Sequence, residues 1–174
     1  ISSKTNWKDH LNGFDCIIHC AGLTHQMSSI KDINVYNLVN TKGTKRLAEH
    51  AVEAGIKRLV FLSSVKVNGE STEISSMFKY NDIPKPEDSY GVSKWEAEKE
   101  LWKISKQTGL EVIIIRAPLV YGPKVKGNLK RLINLIHLGV PLPFSQIKNK
   151  RSMIGIDNLV DVIIRCIFHP KAAS

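Results

Sequence analysis

The sequence is short of cysteine: Cys16, Cys20 and Cys166 are all it has. An odd set cannot pair completely, so a disulfide framework is not expected to organise the fold, and reduced thiols of the cytoplasm are. No apolar run approaches the ~18 residues of a membrane span, and Ile1 to His10 do not follow the basic-then-apolar pattern of a signal peptide. Neither a membrane partner nor export is expected. Aromatic residues make up only 7% of the chain, and the densest basic cluster, Lys148, Lys150 and Arg151, has no interleaved ring on which a base can stack. The net charge of +9 favours a polyanionic partner, either nucleic acid or a phosphorylated small molecule. Because the lysines are scattered, most are read as a solvated face and no nucleic-acid partner is expected. Cys16, His19 and Cys20 look metal-like, but on a strand His19 points to the face opposite the two thiols, so no metal site is expected.

At 174 residues with 43% hydrophobic content, the chain is long enough for one compact core. Asp15 to Cys20 reads as a buried strand that ends at Ala21 and Gly22. A long helix follows, with apolar positions from Val35 to Val52 at three- and four-residue spacings and Gly55 as its stop. Leu59 to Leu62 is a second strand, ending in Ser63 and Ser64. Val65 to Asp88 is an irregular crossing, and loops of that length are usually functional. Ser89 to Thr108 is helical, Gly109 ends it, and Val112 to Ile115 is a third strand. This alternation predicts a parallel α/β sheet with right-handed crossovers. Beyond Arg116, prolines and glycines break the chain before a helix from about Asn128, read as an N-cap, to Leu138. A last amphipathic helix is predicted from about Asp157 to Phe168.

Tyr90 and Lys94 stand four residues apart, on one side of a helix and one turn from each other. A phenol with pKa near 10 acts as a base near neutrality only if that value falls by roughly two to three units. A cation about 4 Å away supplies up to about 4 kcal/mol toward the shift, so Lys94 is expected to provide most of it. Ser64 ends a strand, where the ligand crevice of an open parallel sheet forms. Its hydroxyl can hold a reacting oxygen while Tyr90 exchanges the proton and a cofactor takes the hydride. Each of these residues also has a plain structural reading, as a helix surface pair or a turn cap.

Five motifs in order carry a resemblance. They are His-Cys-Ala-Gly at 19–22, Asn-Thr-Lys-Gly-Thr at 40–44, Ser-Ser-Val-Lys-Val-Asn-Gly at 63–69, Tyr-Gly-Val-Ser-Lys at 90–94 and Arg-Ala-Pro-Leu-Val-Tyr-Gly-Pro at 116–123. With them the chain resembles the extended short-chain dehydrogenase/reductases, the NAD-dependent epimerase/dehydratase family, and within it the UDP-glucose 4-epimerase group. The resemblance implies an incomplete Rossmann-like, doubly wound parallel sheet over 1–122, its N-terminal strands absent, and part of a small substrate-binding region over 123–174. It implies Ser64, Tyr90 and Lys94 as catalytic residues. Ala21, Gly22, Asn40, Ser63, Tyr90, Lys94 and Pro118 are implied at NAD or, alternatively, NADP. Ser64, Lys66, Asn128, Leu129, Pro143, Phe144 and Arg151 are implied at a nucleotide-diphosphate sugar, UDP-linked. Asn128 reads otherwise as a helix cap, Phe144 as core and Arg151 as a surface charge. The expected activity is 4-epimerisation, with a 4-ketoreductase or a non-catalytic dinucleotide sensor as alternatives, and the full-length protein is expected to be a homodimer.

The pattern also departs from the family. No Gly-x-x-Gly-x-x-Gly turn precedes the first strand, so the pyrophosphate cradle at a helix N-terminus is missing. This chain is therefore expected to bind NAD poorly and to be inactive alone. Lys66, Asn68 and Leu119 replace residues common near the sugar, which leaves the sugar open.

Overall fold

The computed structural model describes residues 1–24, 32–73, 76–125, 127–142 and 146–173. Cys16–His19 forms β1, Arg58–Ser64 β2 and Glu111–Ala117 β3. The three are parallel in the order β1-β2-β3, with Cys16 opposite Arg58 and Ser64 opposite Ala117. β2 is central among the described strands, and its register brings Ser63 and Ser64 to the carboxyl edge of the sheet.

The connection from β1 to β2 is helical: α1 (Ile33–Tyr36), a π-helical stretch (Asn37–Lys42) and α2 (Gly43–Glu53) follow without a break. One long helix is predicted and found, but the wider turn within it is not visible in the apolar spacing. Asn40 is buried there while Leu38 is left exposed. The reason is polar: Asn40 Nδ2 donates to Ser93 Oγ at 2.9 Å and Thr41 Oγ1 donates to the Ser93 carbonyl at 3.0 Å. Bonds of this kind are what a π-bulge accommodates.

α3 (Ser89–Thr108) has the predicted limits because both ends are punctuated. Asp88 caps the start, and Gly109 closes the end at φ 77°, a left-handed conformation that costs a glycine little. α2 and α3 cover the same side of the sheet. Ala48, Leu59, Phe61, Ala97, Leu101, Ile104, Leu110 and Val112 form their shared core. Truncating Phe61, which is fully buried, to Ala costs about 3–5 kcal/mol in such a setting.

α5 (Ile156–Phe168) packs against β2. Arg58 holds its end, with Nη1 donating to the carbonyls of Cys166 at 3.0 Å and Ile167 at 2.6 Å. Two strands lie where only loops are predicted: β4 (Leu119–Tyr121) pairs in parallel with β5 (Met153–Gly155). Runs of three residues beside prolines are too short to show a period. α4 (Gly127–His137) has no buried residue. Gly127, at φ 73°, makes the turn into it, so Asn128 lies in the first turn and not at the cap. Together these elements are the expected Rossmann-like α/β parallel arrangement. Among the described residues, no helix is long and apolar enough to cross a membrane, and no group of three or more metal-capable side chains is close enough to hold an ion.

Candidate active site

The site is built where β2 stops. Ser64 leaves the strand as the cap of a single 3-10 turn, Val65–Val67, and its Oγ accepts from the Lys66 N–H at 3.3 Å. Tyr90 stands in the first turn of α3, held by the Asp88 carboxylate, which accepts the Gly91 N–H at 2.6 Å. Gly91 is required at this crossing, since a Cβ there would lie 2.9 Å from the Lys66 carbonyl oxygen. The Ser64 hydroxyl lies beside the Tyr90 phenol and favours its ionised form, and the Tyr36 ring meets the phenol edge-on at 6.4 Å.

Lys94 is 3% exposed. Its ammonium donates to the Leu62 carbonyl at 2.8 Å and lies 4.3 Å from the centre of the Phe61 ring. Burial pulls its pKa down to about 8, against the opposing pull of Glu98 and Cys20. Burial also pushes the Tyr90 phenol above its ordinary value, and the Ser64 hydroxyl and the charge of Lys66 only partly offset this. These findings correct the expectation that Lys94 lowers the phenol. Helical spacing sets the two side chains one turn apart, but the ammonium is drawn to the carbonyl at the end of β2, so Tyr90 is a neutral phenol in this arrangement.

A cleft lies outside the carboxyl ends of β1, β2 and β3. It is lined by Cys20, Gly22 and Thr24, by Leu62 and Ser63, by Tyr90 and Lys94, and by Ala117, Pro118 and Val120. The structure thus brings together Gly22, Ser63, Tyr90, Lys94 and Pro118 from the predicted set. A Cβ on Gly22 would sit 3.1 Å from Asn40 Oδ1 and 3.5 Å from Lys94 Nζ, so a larger residue would crowd the cleft wall. Asn40 stands behind that wall. Its Oδ1 accepts the Leu23 N–H at 2.7 Å, and Nδ2 donates to the Leu23 carbonyl at 3.0 Å. Both amide hydrogens are committed, so Asn40 bears on the cleft by fixing Leu23. Ala21 is exposed beside the lining residues.

Lys66 bridges two carboxylates, Glu70 at 2.7 Å and Asp88 at 2.5 Å. Asn128 is exposed and Leu129 half-buried on α4, Arg151 is exposed before β5, and none of the three lines the cleft. Pro143 and Phe144 lie outside the described residues. Cys20, Thr24, Leu62, Ala117 and Val120 were not anticipated as lining residues, because nothing in a lone apolar or small residue marks it as such. Asp88 was findable: Asp followed by Ser-Tyr-Gly at the head of an apolar-periodic stretch is an N-cap pattern.

The profile of the NAD dependent epimerase/dehydratase family matches residues 1–174. A UDP-glucose 4-epimerase of Vibrio cholerae is 46% identical over 177 aligned residues, which take in 100% of this chain and 54% of that protein. MoeE5, solved in complex with UDP-glucuronic acid and NAD, superposes with a TM-score of 0.82 at 26% identity, over 98% of this chain and 58% of its own. The UDP-glucuronic acid 4-epimerase from Bacillus cereus, solved with UDP-glucuronic acid and NAD, gives a TM-score of 0.82 at 24% identity, over 98% and 55%. The chain spans about half the length of the curated relatives it matches.

Proposed function

The chain belongs to the NAD dependent epimerase/dehydratase family, and from that membership we propose that the whole protein is an NAD-dependent nucleotide-sugar 4-epimerase acting on a UDP-linked sugar. The observation that supports this best is that Tyr90 and Lys94 line one cleft at the carboxyl end of β2, where the strand ends in Ser63 and Ser64. The solved relatives named above carry NAD and UDP-sugars, and the Vibrio cholerae relative is a UDP-glucose 4-epimerase aligned along this entire chain.

The residues present fit the nicotinamide half of NAD. Gly22 leaves room at the wall, Pro118 and Ala117 form an apolar floor, and Lys94 offers an ammonium to ribose hydroxyls. When bound, NAD supplies the acceptor and then the donor of a hydride at the sugar's C4. Ser64 holds the reacting oxygen by its hydroxyl, and Tyr90 takes and returns the proton. Burial keeps Tyr90 protonated, the form that gives a proton to a keto sugar; its turn as base requires positive charge beside it. Lys66, Asn128, Leu129, Pro143, Phe144 and Arg151 are assigned to the nucleotide sugar. Arg151 suits the diphosphate, because a guanidinium fork matches phosphate oxygens.

The test is incubation of the full-length protein with NAD and, separately, UDP-glucose, UDP-galactose and their N-acetylated counterparts, with products identified by NMR. The expected result is a C4 epimer approaching equilibrium from either side without consumption of added NADPH. No epimerisation of any of the four overturns the assignment, and product matched by NADPH consumption on a UDP-4-keto sugar, offered separately as the hydride acceptor, then identifies a 4-ketoreductase.

A further inference from the structure

Glu98 is fully buried, and the hydride chemistry assigned above has no direct use for it. It stands on α3 one turn beyond Lys94 and two beyond Tyr90, so three polar side chains follow one another along the helix face that meets β2. Its carboxylate is saturated. Arg116 of β3 donates through Nε at 3.1 and 3.2 Å and through Nη2 at 2.7 Å. Ser63, a cleft-lining residue of β2, donates its hydroxyl at 2.5 Å. Arg116 in turn gives Nη1 to Asn68 Oδ1 at 3.2 Å, and Asn68 donates to the Lys79 carbonyl at 3.1 Å, which ties in the long crossing after Ser64. A buried carboxylate that holds a planar fork and a hydroxyl fixes both partners in one geometry.

We propose that Glu98 is a positioning residue of the site: its carboxylate locks the ends of β2 and β3 to α3, holding Ser63 in the cleft wall and standing as the buried counter-charge to Lys94. The inference rests on the reading of Lys94 and Tyr90 given above. Five titratable or charged groups face Lys94, share its cleft or reach it through Glu98: His19 of β1 and Cys20 just beyond it, Tyr90 and Glu98 on α3 itself, and Arg116 of β3 behind Glu98. Of these, Glu98 heads the influences that hold the Lys94 ammonium against its burial.

The experiment uses the full-length protein free of sugar and two variants, Glu98→Gln and Glu98→Asp. Acylation of Lys94 is followed against pH by mass spectrometry, and kcat and KM are measured on the sugar that the wild type turns over. Glu98→Gln removes the negative charge, so the reactive amine appears at lower pH and the labelling midpoint falls by about one unit. Glu98→Asp keeps the charge but withdraws it from Ser63 and Arg116. Its midpoint stays near that of the wild type, while kcat drops roughly tenfold with KM little changed, as misplacement of a site predicts. Unchanged midpoint and kcat in Glu98→Gln overturn the proposal. If that variant does not fold, wild-type kcat in Glu98→Asp overturns it, and loss of fold in both assigns Glu98 a purely structural role and overturns it too. Labelling needs no turnover, so a wild type inactive on every sugar defeats the function reading and leaves the labelling result standing.

Discussion

His19 sits under the cleft, 4% exposed, its Nε2 2.8 Å from Thr44 Oγ1 and its ring stacked on Phe61. Burial first, and the Lys94 charge second, lower its pKa from 6.5 to about 4. The folded protein therefore resists protonating this ring while the unfolded chain does not, and between those two values the unfolded state binds more protons. The stabilisation is fully present above pH 6.5 and is lost as pH falls through 6.5 towards 4, amounting to about 3 kcal/mol for a shift of this size. Urea unfolding of wild type and His19→Gln at pH 7 and pH 4.5 checks this: the wild type loses about 2–3 kcal/mol more than the variant. Equal losses would refute it. The places of Ser64 at a strand end and of Tyr90 and Lys94 one turn apart on the next helix were legible in the sequence. What their environment does to them was not, since burial and the carbonyl of Leu62 belong to the folded chain alone.

Among the elements, α3 was readable to the residue because Asp88 and Gly109 mark its ends. The wide turn at Asn37–Lys42 and the β4–β5 pair were not. The first is set by bonds to Ser93 some fifty residues away, and the second consists of strands too short to carry a pattern. Asp88 has two tasks that substitution can separate: it caps Gly91 and pairs with Lys66. Asp88→Asn keeps a capping oxygen and loses the charge, while Asp88→Ala loses both. Thermal or urea unfolding is expected to show a loss of about 1–2 kcal/mol for Ala and well under half of that for Asn. On the proposed function, kcat of the full-length protein is expected to follow the same order, because Tyr90 stands in the turn that the cap secures.

At the scale of the whole molecule, the described part of the chain leaves apolar side chains uncovered. Ile18 on β1 is 45% exposed, and Val160, Ile164 and Phe168 on α5 are 44%, 46% and 78% exposed. The cleft that the proposed function assigns to the nicotinamide is present, and the sequence holds no Gly-x-x-Gly-x-x-Gly turn for the pyrophosphate. The 174-residue chain by itself is therefore expected to bind NAD with a Kd above about 1 mM by isothermal titration. Micromolar binding would show that the nicotinamide side suffices.

The central claim, that Tyr90 moves the proton while hydride passes between sugar and NAD, is tested most directly by absorbance at about 340 nm, where reduced nicotinamide is detected. Full-length wild type and Tyr90→Phe, each loaded with NAD, are mixed with the substrate sugar. Reduced cofactor is expected to form in the wild type and to form roughly 10²–10⁴-fold more slowly in the variant, with NAD still bound. Equal rates in the two proteins would contradict the role of Tyr90.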